Sequence, residues 1–106
     1  MNVGGKNFKE DLDTISRLQR EAEELPVNSP ERLAKETELV NKSQALTEEL
    51  NKPAITDDKN NAFAVNSILS SVHAGTTIVQ SESLKGQASG IATNATNITR
   101  KFNQIR

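Results

Sequence analysis

The chain has 106 residues, a net charge of −1 and no Cys, Trp or Tyr, which excludes disulfides, thiol catalysis and Cys-ligated zinc and gives length for one core rather than two. Leu, Ile, Val and Phe together number 25, only a little above the roughly 20% at which composition alone reads as disordered, so the expected core is thin. No window approaches the about 18 apolar residues of a membrane span, so no membrane insertion is expected, the start carries no hydrophobic signal region, and the small net charge favours neither nucleic acid nor an anionic membrane surface.

The opening MNVGGK reads as a flexible leader over residues 1–6, with residues 7–106 as a single helical-bundle domain. Asn7 is a good N-cap, and Glu10 three residues later forms a capping-box-like pair with it. From there Phe8, Leu12, Ile15, Leu18, Ala22 and Leu25 recur every three or four residues and lie along one helix face. Pro26 stops this first helix, over about 7–25, because proline lacks the amide hydrogen and disfavours helical geometry in the residue before it.

Ser29, Pro30 and Glu31 then supply an N-cap, a proline at the first helical position and an acid in the first turn. The second helix spans about 30–51. Its apolar stripe is Leu33, Leu39, Val40, Leu46 and Leu50, and Glu31 with Lys35 and Glu38 with Lys42 are spaced as i,i+4 ion pairs. The short Pro26–Ser29 link folds these two helices into an antiparallel hairpin.

Lys52-Pro53 breaks the chain again, and Thr56 followed by Asp57 and Asp58 reads as the cap of a third helix over 57–105. Val65, Ile68, Val72, Gly75 and Val79 keep one heptad-like rhythm; Leu84, Ala88, Ile91, Ala95, Ile98, Phe102 and Ile105 keep a second, out of phase with the first. No proline interrupts this region, and a single helix would be about 70 Å long. Gly86 and Gly90 mark the expected weak point. The expected fold is therefore all-α: a hairpin of two helices packed on one long C-terminal helix, a three-helix bundle that becomes four-helix if the last helix bends or breaks near 81–90.

The charges divide unevenly. Residues 1–60 carry nine Lys or Arg against thirteen Asp or Glu, whereas residues 61–106 carry four against one. Candidate chemistry is sparse. His73 is the single histidine and has no second ligand or nucleophile to work with, so it reads as a surface or interface residue. Glu23-Glu24, Glu48-Glu49 and Asp57-Asp58 are adjacent in sequence, which on a helix points them apart. Gly4-Gly5-Lys6 lacks the spacing of a phosphate loop, and Asp57–Asn61 lacks that of a calcium loop. Asn-x-Ser/Thr at Asn41, Asn94 and Asn97 reads as chance in an Asn-, Ser- and Thr-rich chain, and Arg100, Lys101 and Arg106 as cations at a helix C-terminus. No catalytic residue, metal site, cofactor or small-molecule substrate is expected.

The plan resembles that of small helical-hairpin proteins of bacterial secretion machines, the Trp-x-Gly family and type III needle and rod subunits, through the Pro26-to-Pro30 turn and the helical end in Ile105-Arg106; the Trp-x-Gly turn is lacking. A strict seam two residues in seven is the geometry of helix-to-helix contact. Leu84, Ile91, Ile98, Phe102 and Ile105 are therefore the candidate partner-binding residues. The expected function is a non-enzymatic interaction or assembly protein, self-associating or binding a protein partner through that seam, cytoplasmic or exported without a cleaved signal. A secretion apparatus, a phage or virion assembly and a chaperone pair are candidate settings. The alternative is a monomeric regulatory, inhibitory or immunity bundle acting through its charged N-terminal hairpin, and the competing structural reading is that the seam packs only inside its own bundle.

Overall fold

A computed structural model describes residues 2–104. It is an all-α bundle. Four long helices run up-down-up-down: α1 (Lys9–Glu23), α2 (Pro30–Leu50), α4 (Ala62–Thr77) and α5 (Glu82–Gln104), with a one-turn helix α3 (Pro53–Thr56) and a 3₁₀ turn (Lys59–Asn61) between α2 and α4. The body measures 47 × 24 × 15 Å. α2 touches each of the other three long helices, whereas α5 lies on α2 and α4.

Local signals set most boundaries. Ser29 Oγ accepts the Arg32 amide at 3.1 Å, and Pro30 opens α2 as its spacing requires. Asn7 Oδ1 accepts the Lys9 amide at 2.9 Å, but the residue at the helix N-cap is Phe8, without a side-chain cap bond, so α1 begins at Lys9 rather than at 7. Ahead of it, the segment expected as a flexible leader carries a small antiparallel hairpin, Asn2–Val3 (β1) with Lys6–Asn7 (β2). Gly4 and Gly5 form its turn at φ +57° and +84°, which glycine adopts without steric cost. Val3 and Phe8 are thereby buried in the end of the bundle, and the Lys6 ammonium sits 5.1 Å from the centre of the Phe8 ring.

Other expectations for helix ends and faces are corrected. The third helix begins at Ala62 rather than 57, because the Thr56 hydroxyl bonds back to the Lys52 carbonyl and Asp58 caps the 3₁₀ turn at the Asn60 amide. Of the two expected forms the four-helix one is found, the long helix being two, with the break at 78–81 rather than at the two glycines. Four consecutive β-branched residues, Thr76-Thr77-Ile78-Val79, weaken the helix there. The Thr76 and Thr77 hydroxyls also donate to the His73 and Ala74 carbonyls, closing the last turn of α4. Finally, Leu33 is 40% exposed. The buried line of α2 runs through Arg32, Glu36, Leu39, Val40, Ser43, Leu46, Thr47 and Leu50, so four of the five expected apolar residues are inside and polar ones complete the line.

The lysines assigned to helix-surface pairs reach across the hairpin instead: Lys35 binds Glu21 at 3.2 Å, and Lys42 binds Asp11. At Gly75, α4 packs closely on both α1 and α2, since a Cβ there would lie 3.2 Å from Ile15 Cγ2 and 3.3 Å from Leu39 Cδ1, both on fully buried side chains. Gly86 and Gly90 face open space.

Glycine substitutions should therefore split by site. Gly75→Ala is expected to lower the denaturation midpoint, because overpacking costs about 1–3 kcal/mol and outweighs the up to about 1 kcal/mol of helix propensity gained. Gly86→Ala and Gly90→Ala should each raise it by about 0.5–1 kcal/mol, read by urea titration. Ser43→Ala should also stabilise, by about 1 kcal/mol, because the fully buried Ser43 hydroxyl has no hydrogen-bond partner.

Candidate functional site

The end of the bundle holding the Pro26–Ser29 loop gathers four helix ends: the C-termini of α1 and α4 and the N-termini of α2 and α5. Arg32 and Glu36, one turn apart on α2, tie them together. Arg32 Nε donates to Glu36 Oε2 at 2.8 Å, Nη1 to the Leu25 carbonyl at 3.1 Å and Nη2 to the Ile78 carbonyl at 3.0 Å. Glu36 Oε1 accepts the Gln80 and Ser81 amides, each at 3.1 Å. The two side chains are only 7% and 1% exposed.

The charges match the helix ends they meet. A guanidinium faces carbonyls just past α1 and α4, where the helix dipole is negative, and a carboxylate faces amides just ahead of α5, where it is positive. Burial by itself raises the Glu36 carboxyl, but the Arg32 guanidinium and the Ser81 and Gln80 donors outweigh it and hold the group below the ordinary carboxylate range.

Along the opposite side of α4 and α5 runs an open groove of about 380 Å³, lined by Asn66, Leu69, Ser70, His73, Ala92, Ala95, Thr96 and Thr99. A second, smaller hollow of about 260 Å³ continues it past His73 toward Val79 and Lys85. α4 contains no charged residue, and α5 contains none from Gly86 to Thr99. The groove is therefore an uncharged strip with a Leu and Ala floor and a rim of hydroxyls and amides. Phe63, three residues before Asn66 on α4 and so on the adjoining face, is 83% exposed.

The seam residues expected to meet a partner lie elsewhere. Leu84, Ile91, Ile98 and Phe102 are at most 8% exposed and, with Ala88 and Ala95, form the single buried stripe of α5. They belong to the one core cluster shared with α1, α2 and α4. Ile105 lies outside the described residues. His73 is exposed in the groove, and the Lys101 ammonium binds Asn51 Oδ1 at 2.7 Å, at the C-terminal end of α2. Among the described residues no group of three or more His, Cys, Asp or Glu is placed to hold a metal ion, and no helix is long and apolar enough to cross a membrane. Sequence reasoning missed the Arg32–Glu36 pair, although both residues fall in phase with Leu39, Ser43, Leu46 and Leu50.

Comparison with known proteins finds no match: no family model, no curated protein and no solved structure is similar to this chain.

Glu36→Gln should cost about 3–5 kcal/mol, the usual penalty for leaving one half of a buried pair uncompensated. Arg32→Met/Glu36→Leu should stay destabilised, unlike many apolar replacements of buried pairs, because the Leu25 and Ile78 carbonyls and the Gln80 and Ser81 amides lose their partners too. The wild type also gains a pH dependence. Because the folded Glu36 carboxyl titrates below its unfolded value of about 4.3, its contribution is complete above that pH and fades as pH falls through the lower folded value. Denaturation midpoints from pH 7 down to pH ~3 should fall more steeply for the wild type than for Glu36→Gln.

Proposed function

We propose that the protein is a non-enzymatic helical interaction protein whose partner-binding face is the uncharged strip of α4 and α5, anchored by Phe63. The observations that carry this reading are an uncharged groove and an exposed aromatic about one helical turn before its Asn66 end. Aromatic anchors beside a desolvated apolar floor dominate protein interfaces, and depletion of charge at the centre is their main compositional mark. Exposed small residues on α5, Gly86, Ser89, Gly90, Thr93 and Thr96, leave room for another helix to lie close.

The charged hairpin supports this assignment by contrast. Several of its charges are already paired within it, Lys9 with Asp13, Arg17 and Lys35 with Glu21, and Lys42 with Asp11. The settings expected from the sequence, secretion, virion assembly or chaperoning, are special cases of this reading distinguished by the identity of the captured partner.

Phe63→Ala and Thr96→Arg, both at exposed positions, should leave the melting midpoint within about 0.5 kcal/mol of wild type and weaken partner capture at least about tenfold, a loss of about 1.4 kcal/mol or more. Glu31→Lys and Glu38→Lys, on the exposed side of α2, should leave capture unchanged. The reverse pattern would move the binding face to the charged hairpin and support the regulatory or inhibitory alternative.

A further inference from the structure

We propose that the α4–α5 joint is a hinge, and that opening it lets two copies of this chain exchange α5, each α5 seating its buried stripe against α2 and α4 of the other copy. The joint, Ile78–Ser81, contains neither glycine nor proline. Its backbone is held from a distance: Arg32 holds the Ile78 carbonyl, and Glu36 holds the Gln80 and Ser81 amides. Local support is slight, the Val79 amide on the Thr76 carbonyl at 3.2 Å and the Leu84 amide on the Ser81 carbonyl at 3.0 Å, so three of the joint's backbone groups depend on that one pair.

The occupant follows from the stripe itself. Leu84, Ala88, Ile91, Ala95, Ile98 and Phe102 already have a complementary surface in the notch between α2 and α4 of this chain, and an identical chain supplies the same notch. Phase points the same way. If 78–81 became helical, Val79 and Leu84 would be five residues apart and face directions about 140° apart. One α1–α2 pair could not cover both stripes of that straightened helix, whereas two copies could. Short joints under constraint are the usual place where such exchange begins.

The chain has no cysteine, which makes the test direct. Asn66 Oδ1 and Thr99 Oγ1 lie 3.3 Å apart across α4 and α5, so Asn66→Cys/Thr99→Cys reports which chain each α5 packs on. With the Arg32–Glu36 pair intact, oxidation at micromolar concentration should give a monomer with an intrachain bridge. Adding Glu36→Gln should raise the interchain-bridged, covalent dimer at least tenfold, increasingly with concentration, on non-reducing gels and by mass in solution. A Glu36→Gln protein that stays monomeric with intrachain bridges at all concentrations overturns the proposal, as does a dimer whose bridges are all intrachain, which would instead reflect association of closed bundles. If Glu36→Gln does not fold, deleting Gln80 and Ser81 in the bridged background keeps the idea testable: a covalent interchain dimer supports it, and an intrachain-bridged monomer or an unfolded chain sinks it.

Discussion

Arg32 and Glu36 are the constraint on which the rest of this bundle depends. A buried ion pair by itself is weak evidence for stability, because desolvating two charges offsets most of their attraction. This pair differs in what else it touches. Between them the two side chains satisfy two carbonyls and two amides drawn from both interhelical loops at one end of the molecule. Remove it and the end of the bundle has orphaned backbone groups as well as a lost ion pair. The positions of α1, α4 and α5 relative to α2 at that end are therefore set by one turn of α2.

The opposite end is closed by apolar packing. Val3 and Phe8, brought in by the Gly4-Gly5 turn, join the core with Leu50, Ile55 and Phe102. Between the two ends, Gly75 lets three helices approach at once. The result is a two-sided object. The α1–α2 side is a lattice of ion pairs, and the α4–α5 side is an uncharged strip whose two helices, Phe63 apart, turn their large hydrophobic residues inward. A chain with so few large apolar residues uses them at single-residue width, as α5 shows, and relies on polar ties to fix orientation.

Much of this was legible in the residues. Ser29-Pro30-Glu31 marks a helix start wherever it occurs, Pro26 marks an end, and the rhythm from Leu84 to Phe102 identified every buried residue of α5 among those described. What rhythm does not encode is what covers a stripe, and here the chain's own α2 and α4 do. The phase slip between Val79 and Leu84 announced a break, but its placement at 78–81, ahead of the glycines, also depends on the Arg32–Glu36 pair more than 40 residues away. The same pair explains why Leu33 was misplaced: hydropathy assigns leucine inward and arginine outward, and only a satisfied hydrogen-bond set reverses that order. The N-terminal hairpin was missed for a different reason. Two residues per strand are too few to show any alternation, and a Gly-Gly pair looks the same in a tight turn as in a free tail.

The dependence of that bend on distant residues has a bearing on the order of events during synthesis. Chains are made from the N-terminus at about 5–20 residues per second, and local hairpins form far faster than that. α1 and α2 can thus pair while Ile78, Gln80 and Ser81 are still to be added. Until those residues arrive, Arg32 and Glu36 sit at the rim of an unfinished hairpin, wetted by solvent, with three of their backbone partners absent. Drying of that polar socket is then a late event that only a chain extended through the α4–α5 joint can reach, so a nascent or truncated product lacking it retains a hydrated flaw at the heart of its first hairpin.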